Sequence, residues 1–314
     1  MANFRRNHDK ASGGGLLSKS MVFAVILGGL LYFFNAFQGE EEMGEIPSRN
    51  TPDQEGGQRV EIDLSESDYV LPTDFFPSTN LGYIIKHNYY ALSYSEKHEQ
   101  PEWVAYELTK ESIRVPNVPR PNNFRPDPKV RKSSAVKADY RGSGYDRGHL
   151  VPSGDMAFNE RAISETFYLS NMSPQIRNFN SGIWRELEER VRDWAWDNKH
   201  LYVITGPVLT RDIRETIGPN EVAVPEEYYK VILDYTQPGL KGIAFIMPNE
   251  ISTRALMDYA VTIDEIEKIT GLDFFPEIPD EDEERLESKI DKTGWRIDRN
   301  QERARIHRME ELDR

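Results

Sequence analysis

Asp146, Arg147, Gly148 and His149 occupy four consecutive positions in the stretch SGYDRGHLVPSGD, Ser143 to Asp155. Histidine is the side chain most readily tuned across neutral pH. Here it follows an Arg and an Asp and precedes the apolar pair Leu150–Val151, so its charge environment is set by its own sequence. A turn with a charge pair and an incidental His would also fit these four residues alone. Downstream, TFYLSNMSPQIRNFNSGIWRELE brings Asn171, Asn178 and Asn180, a Gln and Glu188 past a strand and into a helix. Amide oxygens are hard-cation ligands, and Mg²⁺ takes few protein oxygens while keeping several waters. Asn180 stands at the expected helix start, with Trp184 and Glu188 at i+4 and i+8, so all three can line related faces of one helix.

The residues before the His are locally basic. Lys110, Arg114, Arg120, Arg125, Lys129, Arg131, Lys132, Lys137, Arg141 and Arg147 set ten cationic side chains against four anionic ones, in a chain of net charge −14. A basic strip beside a His and a hard-cation site points to a phosphate-containing substrate. The acidic total argues against a general polyanion-binding surface and leaves room for a local basic cleft. A solvated loop with surplus Lys and Arg is the plain alternative.

Other chemistries lose their signatures. The 314 residues contain no Cys, which removes disulfides, thiolate nucleophiles and Cys-based zinc sites. The six His show no zinc spacing, and neither GxxxxGK[ST] nor GxSxG occurs. His87 and His200 lie in strand-like segments and read as packed or edge residues.

The elements that must position these groups are legible as patterns. GYIIKHNYYALSY (82–94), EWVAYELT (102–109), HLYVITGPV (200–208), YYKVILDY (228–235) and KGIAFIMP (241–248) are rich in aromatic and β-branched residues and read as strands. In SGIWRELEERVRDWAWDNK, Ile183, Leu187, Val191 and Trp194 recur at helical spacing. TIDEIEKITG predicts a second helix, with Thr262 as N-cap, Glu265 at the capping-box position and Gly271 as stop. Strands mixed with a few helices, without βαβ alternation, indicate an α+β domain.

At the N-terminus a basic stretch, 1–20, precedes the apolar run 21–37, which at about 1.5 Å per residue nearly crosses a bilayer core. The flanking charges predict a membrane anchor with an exported C-terminal domain. A cleaved signal sequence and secretion is the rival, disfavoured by the lack of a small-x-small cleavage site. Residues 38–68 read as a flexible acidic linker, 69–297 as the folded domain and 298–314 as a charged tail. From about Pro279 onward the chain is dense in charge and reads as a solvated helix or disorder.

YRGSGYDRGHL, TFYLSNMSPQ and the N…W..LE pattern together, in order, resemble the DNA/RNA non-specific endonucleases, the endonuclease-G-like ββα-metal or His-Me finger group, over about Val70 to Ile297. The resemblance implies a central antiparallel sheet flanked by helices and a Mg²⁺-dependent endonuclease, with Mn²⁺ as a substitute ion. Such an enzyme cuts DNA and RNA and leaves 5′-phosphate ends. It implies His149 as the general base toward water and Asn180 as the direct metal ligand. Glu188 is then the carboxylate that holds water at the ion, and Arg147 orients that carboxylate or contacts phosphate. Asn171 supports the site by hydrogen bonding. Arg120 corresponds to the phosphate clamp, a role for which Arg114 and Arg125 compete. Ser153 departs mildly from the Ala frequent in the family's HLxPAxD pattern. A neutral imidazole near pKa ~6.5 can take the proton at neutral pH. The competing readings are a non-catalytic nucleic-acid-binding relative and a phosphodiesterase acting on small or lipid substrates. A homodimer is left open.

Overall fold

Aromatic and β-branched runs pair into strands whose alternate side chains enter two different cores, and this alternation builds the molecule. The computed structural model describes residues 72–132, 134–236 and 240–312. They lie within one compact unit, 63–314. In chain order the strands are β1 (Tyr83–Lys86), β2 (Tyr90–Ser95), β3 (Gln100–Thr109), β4 (Tyr145–His149), β5 (Met172–Ile176), β6 (His200–Pro207), β7 (Thr216–Ile217), β8 (Val222–Ala223), β9 (Glu227–Asp234), β10 (Lys241–Pro248) and β11 (Ala260–Val261). The helices are α1 (Lys110–Arg114), α2 (Lys137–Tyr140), α3 (Glu160–Glu165), α4 (Arg177–Phe179), α5 (Arg185–Asn198), α6 (Ile263–Thr270), α7 (Asp280–Glu287) and α8 (Arg299–Leu312).

Seven strands form the central sheet in the order β1-β2-β3-β6-β9-β10-β11, antiparallel throughout. On one face Leu92, Val104, Val203, Ile232, Ile243 and Phe245 pack against Leu187, Val191 and Trp194 of α5. On the other, Ala91, Ala105, Ile204, Val231 and Ala244 pack against Ile263 and Ile266 of α6 and Leu286 of α7. Neighbouring residues of one strand thus serve opposite cores, the period-two rule of a sheet covered on both sides. The expected strand over 82–94 is a hairpin, β1 and β2, turning at His87–Tyr89. Thr262 caps α6 by accepting from the Glu265 amide at 3.1 Å, and Gly271 ends it in the left-handed region at φ 70°.

A separate two-stranded ladder, β4 with β5, leads directly into α4. Beneath it Phe124, Ile163, Phe167, Leu169 and Met172 form a third apolar cluster. The architecture is α+β, with a ββα unit set beside a central antiparallel sheet.

Two expectations need amendment. The helix expected across 181–199 is not continuous: a π turn over Asn180–Trp184 breaks at Gly182 (φ −103°, ψ −114°), and regular helix starts at Arg185. Trp184 is consequently a fully buried core residue and lines no open face. The charged C-terminal segment is helical, as α8, and it docks. Glu302, Arg305 and Met309 are buried, and Arg305 pairs with Glu186 of α5 at 2.5 Å. Its sparse apolar residues gave little signal because a salt bridge and backbone contacts do the anchoring. Among the described residues no helix is long and apolar enough to cross a membrane, and the apolar run 21–37 lies outside them.

Candidate active site

The β4–β5 ladder pairs Asp146 with Gln175, Gly148 with Ser173 and His149 with Met172. Gly148 is required by packing: a Cβ there would lie 2.1–2.4 Å from the Gln175 side chain, which crosses directly over it. Past His149, the fully buried Leu150 and Val151 lock the strand end. Asn171 completes that lock. Its Oδ1 accepts from the Val151 amide at 2.9 Å, and its Nδ2 donates to the carbonyls of Val151 and Thr166 at 3.1 and 2.9 Å. All its amide atoms are thereby committed, so it supports the site structurally and faces no substrate.

His149 is half-buried, with its ring edge-on to Phe167 at 4.9 Å and near Phe124 at 5.8 Å. Its Nε2 is enclosed and has no hydrogen-bond partner. Arg120 lies 4.9 Å over Phe167 and donates to the Ser153 hydroxyl at 3.1 Å. Arg147 lies 4.2 Å over Phe124 and makes no ion pair with Glu188 among the described residues. Two guanidiniums thus rest on the aromatic walls that hold the imidazole. Burial first, then Arg120 and Arg147, push the His149 pKa down to about 3, well below the ordinary value near 6.5 expected from sequence. The ring is neutral throughout the physiological range. Arg125, a rival for the clamp, is occupied: it donates to the Ser164 carbonyl at 2.9 Å and lies over Tyr168.

Asn180 is placed from the other strand end. Its Nδ2 donates to Asp146 Oδ2 at 3.1 Å, and Arg177 approaches Asp146 Oδ1 at 3.3 Å. The amide nitrogen is committed, which presents the carbonyl oxygen as a ligand. Asp146 and His149 stand three residues apart on β4, about 10 Å of strand. A cleft of about 360 Å³ opens beside Asp146 and Arg147. It is lined by Asp146, Arg147, Arg177, Lys137, Arg141, Tyr140 and Tyr145, and neither His149 nor Asn180 is part of its lining. Four cations face one carboxylate there, so the cleft is locally positive.

Glu188 lies two turns into the helical segment, in a buried charged cluster. Burial pushes its carboxyl up, opposed by nearby Lys230; burial pushes the Lys230 amine down, opposed by Glu188. Lys230 is fully buried and bonds the Thr205 hydroxyl at 2.5 Å. Asp155 adds negative charge, held by Arg192 at 2.8 Å and the Tyr106 hydroxyl at 2.7 Å.

The donor set fits one hard divalent cation, because an oriented amide oxygen beside a carboxylate leaves most positions to water and phosphate. Sequence reasoning missed Asp146 as the anchor of Asn180, the Phe124 and Phe167 walls, and the Lys230–Asp155–Arg192 cluster. Only Lys230 carried a local signal, as a lone Lys in the apolar run YYKVIL.

Residues 71–281 match the family model described as DNA/RNA non-specific endonuclease. The chain is 36% identical over 206 residues to human mitochondrial nuclease EXOG, a match covering 60% of this chain and 56% of that protein. It is 33% identical over 247 residues to a nuclease of Nostoc sp., covering 74% and 86%. A crystal structure of the EndoG/EndoGI complex superposes with TM-score 0.60 and 34% identity, over 64% of this chain and 88% of that one. The chain therefore spans little more than half the length of the human EXOG protein. With the family model matched over two-thirds of its length, the protein belongs to the DNA/RNA non-specific endonuclease family.

Proposed function

We propose that this protein is a Mg²⁺-dependent endonuclease that hydrolyses phosphodiester bonds of DNA and RNA, with Mn²⁺ able to substitute, and leaves 5′-phosphate ends. The reading rests on one observation above all: a neutral imidazole with an enclosed, unpartnered Nε2, set between two guanidiniums on an aromatic wall. In the tautomer with its proton on Nδ1, that nitrogen is free to accept a proton. His149 takes the proton of the attacking water. Arg120 and Arg147 bind the oxygens of the scissile phosphate. A phosphate between them neutralises the field that depresses His149, so substrate raises the basicity of the imidazole at the moment it is needed. Asn180, oriented by Asp146, holds the ion, and Glu188 with Lys230 fixes the charge balance behind it. The bound ion supplies positive charge against the phosphate and the leaving 3′-oxygen. Because the base acts on water, a ribose 2′-hydroxyl is not needed, and both nucleic acids are substrates.

The test is a plasmid-nicking assay with and without EDTA. His149→Ala is expected to lower the rate about 10²–10⁴-fold while DNA affinity stays within a few-fold. Nicking that persists in EDTA, or an unimpaired variant, refutes the reading. DNA binding without any cleavage in the wild type supports a non-catalytic relative, and turnover of a chromogenic diester without nicking supports a small-substrate phosphodiesterase. The same reading includes a membrane anchor at 21–37 with an exported catalytic domain, checked by the mass of the protein in membrane and soluble fractions.

A further inference from the structure

On the sheet face opposite the β4–β5 ladder, α6 and α7 pack side by side onto β10 through Ile263, Ile266 and Leu286. Their polar sides converge. One carboxylate oxygen each from Asp264 and Glu267 of α6 and Glu287 of α7 lie within 4.8 Å of one another. Oxygens bound to one Ca²⁺ at about 2.3–2.6 Å are separated by at most about twice that distance, so the three can share an ion without rearrangement. A second observation separates this group from an ordinary acidic surface. Glu287 is only 6% exposed, and its Oε1 is enclosed with no hydrogen-bond partner. An enclosed carboxylate oxygen with nothing to bond is costly.

We propose that Asp264, Glu267 and Glu287 form a divalent-cation site of the Ca²⁺ class that ties α6 to α7, apart from the catalytic ladder. Its donors are all carboxylate oxygens, with no His among them and no Cys in the chain to favour a softer metal. Asp264 is exposed and Glu267 half-buried, so solvent completes the shell from the open side. This suits the flexible, larger shell of Ca²⁺ better than the strict octahedron of Mg²⁺. One oxygen of Glu267 already accepts from the Phe274 amide at 2.7 Å, which fixes its carboxylate in place. The electrostatics agree. Burial, then Glu267, Glu283, Asp264 and Asp273, push the Glu287 carboxyl up to about 9, and each of these charged neighbours is acidic. Glu267 and Glu283 are raised for the same reasons. Affinity in the range of open, partly solvated sites, about 10⁻⁴–10⁻³ M, is expected. The proposal stands independently of the catalytic reading.

The test is thermal unfolding of the full chain in EDTA and in 10 mM CaCl₂, for the wild type, Asn180→Ala, Asp264→Asn and Glu287→Gln. Ca²⁺ is expected to raise Tm by about 3–5 °C in the wild type and equally in Asn180→Ala. The shift is expected to shrink in Asp264→Asn, an exposed and mild change, and to vanish in Glu287→Gln. Isothermal titration with CaCl₂ reads the same site without unfolding. No Ca²⁺ shift in the wild type overturns the proposal. So does a shift that survives Glu287→Gln, or one lost in Asn180→Ala, which places the ion at the catalytic end.

Discussion

At the scale of single residues, the environment of His149 decides its chemistry. Its identity and its Arg and Gly neighbours were legible in DRGH, but its pKa was not. The depression comes from burial and from Arg120, twenty-nine positions away in sequence and brought close by Phe167. The acid limb of kcat/KM is therefore expected well below the ordinary His range, with activity retained between about pH 5 and 6.5. Arg120→Gln removes one depressing charge and should move that limb to higher pH, whatever its effect on absolute rate. An unmoved limb assigns the depression to burial and Arg147. Stability follows the same sign. With the folded pKa below the unfolded one, the contribution of neutral His149 is full above about pH 6.5. It is lost as pH falls toward about 3.

At the scale of elements, the ββα unit supplies the site and two contacts hold it in register. Asp146 on β4 binds the Asn180 amide across the break before α5. Asp146→Ala frees that amide to rotate, and the Mg²⁺ concentration for half-maximal rate is expected to rise about 10–100-fold. An unchanged metal requirement removes Asp146 as the orienting group. The second contact is α8. Met309 packs against Gly182, where an added Cβ would meet its sulfur at 3.2 Å, and Arg308 donates to the Ser181 carbonyl at 3.2 Å. Arg305 pairs with Glu186 and donates to the carbonyls of Ser252 and Arg254 at 2.8 and 2.6 Å. Arg305→Ala leaves a buried carboxylate unpaired, and a loss of about 3–5 kcal/mol is expected in urea unfolding. A loss below about 1 kcal/mol shows that α8 docks without that pair. Helical spacing revealed the apolar face of α5. Neither the break at Gly182 nor the docking of α8 was legible, because both depend on segments more than one hundred residues apart.

At the scale of the whole molecule, charge is divided between an acidic body and a basic cleft. The net charge is −14, yet Lys137, Arg141, Arg147 and Arg177 line one cleft beside Asp146. Other members of the basic strip are spent on structure: Arg131 rests 4.0 Å over Tyr83, and Lys129 donates to the Lys86 carbonyl at 2.5 Å. Only part of the strip lines the cleft. Nuclease rates at subsaturating DNA should therefore fall steeply with salt, and Lys137→Ala with Arg141→Ala should reduce the salt slope by about 2. A flat salt response contradicts a phosphate-lined cleft.

The sequence by itself determined the strand and helix periods, the α+β class and the DRGH and Asn180 positions. These are local properties, set by side-chain alternation, caps and contiguous motifs. Tertiary structure alone decided which oxygens and nitrogens are left unpaired. His149 Nε2, the Asn180 carbonyl and Glu287 Oε1 owe their states to Phe167, Asp146 and the packing of α7 on β10. Solvent exclusion and electric field depend on everything folded around an atom, and no window of neighbouring residues contains that information.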